Sequence, residues 1–187
     1  LDLVVRIDRQ PVWSVYALED IGERVTENQP PIDYQDFGDI CGVMAERYQG
    51  RIAAYQVWNE PNLSREWGEK PPNPAEYTAL LKVCYEAIKA ADPEAIVISA
   101  GLAPTGTSSP EAMPDMDFLQ GMYDAGAADY FDVLGVHAPG FKAPPEMSPD
   151  EVMAAEGEYG NGRWFTFRHV EDMRAIMVAN DDSEKQV

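Results

Sequence analysis

Tyr55-Gln56-Val57-Trp58-Asn59-Glu60-Pro61-Asn62 is an apolar run that ends in an Asn-Glu pair and is stopped by proline. A strand that closes on Asn-Glu sets a carboxylic acid beside an amide donor, at the end where α/β barrels keep their chemistry. Glu is also a common surface residue, and Asn-Glu-Pro equally suits a simple turn that ends a strand. What surrounds the run must decide between the two.

Outward from this run, apolar stretches of strand length alternate with amphipathic stretches of helix length. Leu1 to Ile7 reads as a strand. Phe37, Ile40, Cys41, Met44 and Tyr48 then recur at helical spacing before Gly50, a C-terminal cap. After the strand Ile52 to Trp58, Asn73 as N-cap, Pro74 at the first helical position and Glu76 announce a helix with Tyr77, Leu81, Cys84 and Ile88 on one face. Ala95 to Ala100 predicts a third strand, Asp117 to Ala125 a short helix ended by Gly126, Phe131 to Val136 a fourth strand, and Phe167 to Val178 a last helix. The order is four consecutive βα units with parallel strands, an α/β class.

The connections are unequal. Helix-to-strand links are short: Gln49-Gly50-Arg51, Ala91-Asp92-Pro93-Glu94 and Ala127-Ala128-Asp129-Tyr130. Strand-to-helix links are long, from about Asp8 to Ile32, Glu60 to Asn73, Gly101 to Met116 and His137 to Arg163. Loops above about a dozen residues are uncommon unless they bind something or lack order. All of these leave strand carboxyl ends, the asymmetry of a barrel with its site on top. They carry Trp13, Tyr16, Trp67, Phe141, Tyr159 and Trp164, flat apolar surfaces suited to stacking on a ligand, or else plugs on the barrel rim.

The 187 residues are 45% hydrophobic and 25% charged, the composition of a globular chain with a sizeable core. A formal net charge of -19 argues against nucleic acid or an anionic membrane as partner. No apolar run is long enough to span a bilayer. The chain opens at Leu1 inside a strand-like run, so a targeting segment would lie outside it and the compartment stays open. Cys41 and Cys84 lack metal-ligand spacing and there are only two histidines, His137 and His169, which argues against a zinc site. The cysteines read as two small buried thiols, with a disulfide between neighbouring helices left open.

Trp58-Asn59-Glu60-Pro61-Asn62 closing an apolar strand resembles the acid/base strand of the clan A glycoside hydrolases, retaining (β/α)8 barrels that include families 5 and 39. The resemblance continues through Leu63-Ser64-Arg65-Glu66-Trp67 and extends from Val4-Val5-Arg6-Ile7-Asp8 to His169-Val170-Glu171-Asp172-Met173-Arg174, closest in style to family 39. It implies a partial TIM barrel over residues 1–187, running from the family's strand three to helix six, without cofactor or metal and with a carbohydrate as substrate. Gln186-Val187, after the turn Asn180 to Lys185, looks like the first step of another strand. A doubly wound open sheet is the alternative topology, weakened because no Gly-rich phosphate loop follows the first strand.

By the same resemblance Glu60 is the catalytic general acid/base, and its pKa should be raised by desolvation or a neighbouring carboxylate. Asn59 would hydrogen-bond the sugar hydroxyl next to the reacting carbon. The nucleophilic Glu would close strand seven, beyond Val187, and Glu146, Glu151, Glu156 and Glu158 read as solvated loop surface instead. The chain alone is therefore expected not to hydrolyse glycosides. His137 matches the clan's strand-six His, with Pro139 standing where a Tyr often contacts the nucleophile; a rim histidine bonded to backbone is its plain alternative. Asp8, Trp13 and Trp67 are further substrate-binding candidates, although Asp8 could equally pair with arginine to hold its loop. Asp132 belongs to the opposite face and reads as structural. Three classes of function follow: a retaining glycosidase of which this is the middle, a carbohydrate-binding degenerate barrel, and an incomplete piece with exposed sheet edges.

Overall fold

The computed structural model describes residues 2–14 and 28–187, without the side chain of Val12. Three short strands, β1 (Val4–Ile7), β2 (Ala54–Val57) and β3 (Ile96–Ile98), form a parallel sheet in chain order. Val4 pairs with Ala54 and Ala54 with Ile96, so the three strands start level and deliver their carboxyl ends to one edge. β2 is central and buries Ala54, Tyr55 and Val57, the near-continuous apolar character of a strand covered on both faces. β1 alternates exposed Val4 and Arg6 with half-buried Val5 and Ile7, because successive side chains point to opposite faces and only the Val5 and Ile7 face packs against the core.

The helices α1 (Tyr34–Arg47), α2 (Pro74–Ala91), α3 (Asp115–Asp124), α4 (Pro149–Ala154) and α5 (Val170–Ala179) fill the connections. Asp33 and Asn73 accept the first free amides of α1 and α2, and Pro74 opens α2 without losing a helix hydrogen bond. Tyr77, Leu81, Cys84 and Ile88 are all buried, as their spacing predicts. Gly126 ends the α3 region in the left-handed conformation, with φ 82°. Lys89 and the Val97 amide hold Asp132, a structural role on the face away from the strand carboxyl ends.

Four expectations need correction or completion. Phe131 to Val136 is not a ladder strand but touches β3 and its extension through two isolated parallel bridges, Ile98 to Val133 and Leu102 to Val136. Between those bridges one side advances four residues and the other three, so a bulge interrupts the ladder. Gly135 lets the two backbones approach, since a Cβ there would lie 2.2 Å from the Ser99 carbonyl oxygen. Secondly, Cys41 and Cys84 are a disulfide between α1 and α2, with Cα atoms 5.4 Å apart and both side chains fully buried. They are not free thiols, because the two helix faces that carry them pack directly together. Thirdly, the long link after residue 137 contains α4, opened by Ser148 in a reciprocal capping box with Glu151. Lastly, the expectation for Tyr16 lies outside the described residues.

Gln186 does bridge Val133 in parallel, and its carbonyl accepts from the Leu134 amide, so the chain re-enters the sheet next to the fourth segment. The turn before it is fastened by Asp182, which accepts from the Tyr123 hydroxyl and pairs with Lys185. Deeper in the helix layer, His169 is fully buried, with Nε2 2.6 Å from Asp115 and Nδ1 3.2 Å from Asp172. Burial alone would lower its pKa, but the hydrogen bonds to Asp115 and Asp172 hold it above the ordinary histidine value. Arg163 forks onto Asp172 and also reaches Asp150 of α4, tying the end of the long link to α5.

Candidate active site

The carboxyl end of β2 is where the backbone departs from ordinary conformation. Trp58 has φ 71° and Glu60 φ 43°, two non-glycine residues in the left-handed region around Asn59. Such positions cost on the order of 1–3 kcal/mol each and persist only where the surroundings over-determine them. Here they do. The Trp58 amide donates to Ile7 and its indole, buried against Phe37 and Trp67, donates to the Glu66 carbonyl. The Glu60 amide donates to the Gly101 carbonyl, and its own carbonyl accepts from Leu63. Asn62 is fully buried and zips the loop to the next one through Ala103 and Met113. The motif thus fixes its own backbone and leaves the Glu60 side chain as the part that projects.

That side chain meets His137, whose Nδ1 lies 2.9 Å from Oε1 of Glu60. Arg65 approaches the other oxygen, Nη2 to Oε2 3.6 Å. Glu60, Arg65, His137, Pro139 and Phe141 share a hollow of about 660 Å³ above the ends of β2 and β3. The hydrogen bond from His137 holds the Glu60 carboxyl below its ordinary value, aided by the charges of His137 and Arg65 and opposed by partial burial. The sequence leads one to expect the reverse. The difference has a plain cause: both groups facing Glu60 here are cationic or proton-donating, and no carboxylate lies against it among the described contacts.

The other candidates divide. Asn59 does not line this hollow; its amide oxygen accepts from Arg6, 2.9 Å away, and Arg6 in turn pairs with Asp8 at 2.7 Å. Asp8 therefore takes the loop-holding alternative, through an arginine that also orients Asn59. Asp8 and Trp13 line a separate hollow of about 330 Å³ between β1 and α1, where Trp13 is 67% exposed. Trp67 is fully buried, edge-on to Trp58 and Tyr77, with its indole donating to Glu76. It offers no face to a ligand, because the turn after Pro61 folds it back into the core. Glu151, one of the loop carboxylates, is spent on the α4 cap. Arg65 is the contact that sequence reading passes over; its signal is the tight turn that Pro61 starts, which returns position 65 to position 60.

Gly101 is the hidden support of the site, since a Cβ there would sit 2.5 Å from the His137 ring. Gly101→Ala should push the imidazole away from Glu60 and let the carboxyl pKa rise toward its ordinary value. A carboxylate whose folded pKa is depressed contributes stability above the ordinary carboxylate range, lost as pH falls through the depressed value. The substitution should shrink that acid-side contribution. Carboxyl carbon NMR titration of Glu60 in both proteins measures the shift; an unmoved titration would separate His137 from the effect.

With this geometry in place, likeness to known proteins has a physical frame. No protein-family model matches the chain. Over 71 residues, 34% of the chain, it is 38% identical to a β-xylosidase of Geobacillus stearothermophilus, of which the match spans 14%. A monomeric β-xylosidase from Caulobacter crescentus CB15 superposes on 94% of the chain with a TM-score of 0.57 at 20% identity. The fold is similar to the barrel fold of that enzyme. The chain spans about a third of that enzyme, 34% of its length. A GH39 β-xylosidase from Caulobacter crescentus also aligns, over 59% of this chain and 24% of its own, with a TM-score of 0.42 and 26% identity. Among the described residues no helix is long and apolar enough to cross a membrane.

Proposed function

We propose that the chain is the middle of a (β/α)8 barrel, from strand three to helix six, in a protein that hydrolyses O-glycosidic bonds with retention of configuration, and that Glu60 is its general acid/base. The observation that supports this most is the placement of Glu60, at the carboxyl end of β2 in a left-handed conformation, facing an open hollow beside His137. A retaining site needs a second carboxylate about 5 to 5.5 Å from the first. In this reading that nucleophile lies outside these 187 residues, and the chain by itself does not turn over glycosides.

The depressed pKa of Glu60 fits one half of the cycle. Held as a carboxylate by His137 and Arg65, Glu60 is the base that would take a proton from the water attacking the glycosyl-enzyme. The acid half needs a proton on the same group, which a second negative charge nearby would favour. Esterification of the nucleophile removes that charge, so Glu60 returns to its basic form when water must be activated. Arg6 holds Asn59 so that its amide nitrogen is left for a sugar hydroxyl. His137 orients the Glu60 carboxyl.

The test is stereochemical. The full-length protein is given an aryl β-xyloside, and the anomeric protons of the first product are followed by NMR before mutarotation. Retention is the expected result; inversion would remove the double-displacement reading. The presence of Pro139 at the rim of the hollow favours one alternative, a carbohydrate-binding barrel without catalysis. Sugar binding by the full-length protein without any cleavage would support that alternative.

A further inference from the structure

Phe141 lines the Glu60 hollow. This residue has φ 50°, a conformation that bulky side chains rarely adopt, and it follows Gly140 at φ 74°. Phe167 packs over Gly140 so closely that a Cβ there would lie 2.3 Å from its ring. The turn is thereby locked, and it pushes Phe141 outward with 55% of its surface exposed. An exposed aromatic ring held by a strained backbone gains little as core, which directs attention to what it faces.

It faces two spaces. On one side is the Glu60 hollow; on the other is a second hollow of about 400 Å³, lined by Phe141, Lys142, Glu158, Tyr159, Gly160 and Phe165. Phe165 stands 4.9 Å from Phe141, centroid to centroid, and Trp164 stands 5.7 Å from Phe165. Glycines clear the room for these rings. A Cβ at Gly160 would meet Phe165 at 2.5 Å, and a Cβ at Gly106 would meet Trp164 at 2.1 Å, so Trp164 lies against the loop after β3. The volume falls in the range of about 300–1,000 Å³ common to small-ligand sites.

We propose that this second hollow is a distal subsite for a neutral oligosaccharide whose scissile bond lies at Glu60, with Phe141 as the stacking platform between the two. The proposal rests on the glycosidase reading above. Sugar rings offer C–H faces to aromatic surfaces and hydroxyls at their rims, and here the rings are edged by Lys142, Glu158 and the Tyr159 hydroxyl. One cation and one carboxylate balance each other locally, while the net charge of -19 disfavours an anionic chain. Phe141 is the residue the two hollows share, which selects a linear ligand long enough to reach across it.

Full-length protein carrying Glu60→Gln, which prevents turnover, is titrated calorimetrically with xylobiose, xylotriose and xylotetraose and with the matching cello-oligosaccharides. Affinity should rise about tenfold with length in one of the two series, the effect of adding a stacked ring. Phe141→Ala and Tyr159→Ala should each lose that gain, and Phe141→Tyr should keep it. Binding that does not strengthen with length, or that strengthens equally in both alanine variants, overturns the subsite and leaves the glycosidase reading standing. Absence of binding to every sugar in both series overturns the two together.

Discussion

Replacing Glu60 with Gln in the full-length protein should reduce cleavage of natural glycosides by roughly 10²- to 10⁴-fold, the usual reach of a positioned general acid. A sugar alkoxide cannot leave without a proton, whereas an activated phenolate can. Glycosylation by an activated aryl glycoside should therefore fall much less. The amide keeps the shape of the side chain and can still meet His137, so the loss reports the missing proton rather than a collapsed site. Added azide should partly restore turnover of the aryl substrate, because a small anion attacks the glycosyl-enzyme without a general base. Equal losses on both substrate types without azide rescue would take the acid/base role away from Glu60.

The disulfide carries the second large effect. Cys41 and Cys84 close a loop with a sequence separation of 43, for which the chain-entropy account gives about 4 kcal/mol of stabilisation. The double variant Cys41→Ala, Cys84→Ala should lose about that much in urea unfolding. Reduction of the parent protein should lose a similar amount. The burial of both sulfurs between α1 and α2 makes the bond slow to reach by reductant in the folded state, so the reduced sample is best prepared unfolded. Unfolding midpoints that do not respond to either treatment would mean that the bond does not form in solution. Folding in a reducing compartment would withhold this contribution.

Both expectations depend on features that differ in how far the sequence exposes them. The alternation of strands and helices is local: Asn73-Pro74 opens a helix, Gly126 ends one, and the apolar run to Val57 is a buried strand, all from short-range conformational preference. The position of Glu60 at a strand end is legible for the same reason, although the Asn-Glu-Pro run alone suits a simple turn equally well. The fourth segment was not legible as irregular. Its composition is that of a strand, and only the one-residue mismatch against β3 interrupts it, a relation between two distant stretches. The α4 capping box is written locally at Ser148 and Glu151, yet sequence reading takes Glu151 for solvated loop surface.

The sequence by itself determined the α/β class of the fold and the placement of a carboxylic acid, Glu60, at the end of β2, because each follows from periodicity or from chemistry within a few neighbouring residues. Tertiary structure alone decided what surrounds that acid. Trp67 turned inward to the core, Asp8 and Asn59 were joined through Arg6, and the two cysteines became one bond. The downward direction of the Glu60 pKa shift was decided there too, by His137 at a sequence distance of 77 residues and by the space that Gly101 leaves for its ring. A carboxyl pKa depends on the charges and donors within a few ångströms, and those neighbours are set by packing rather than by adjacency in the chain.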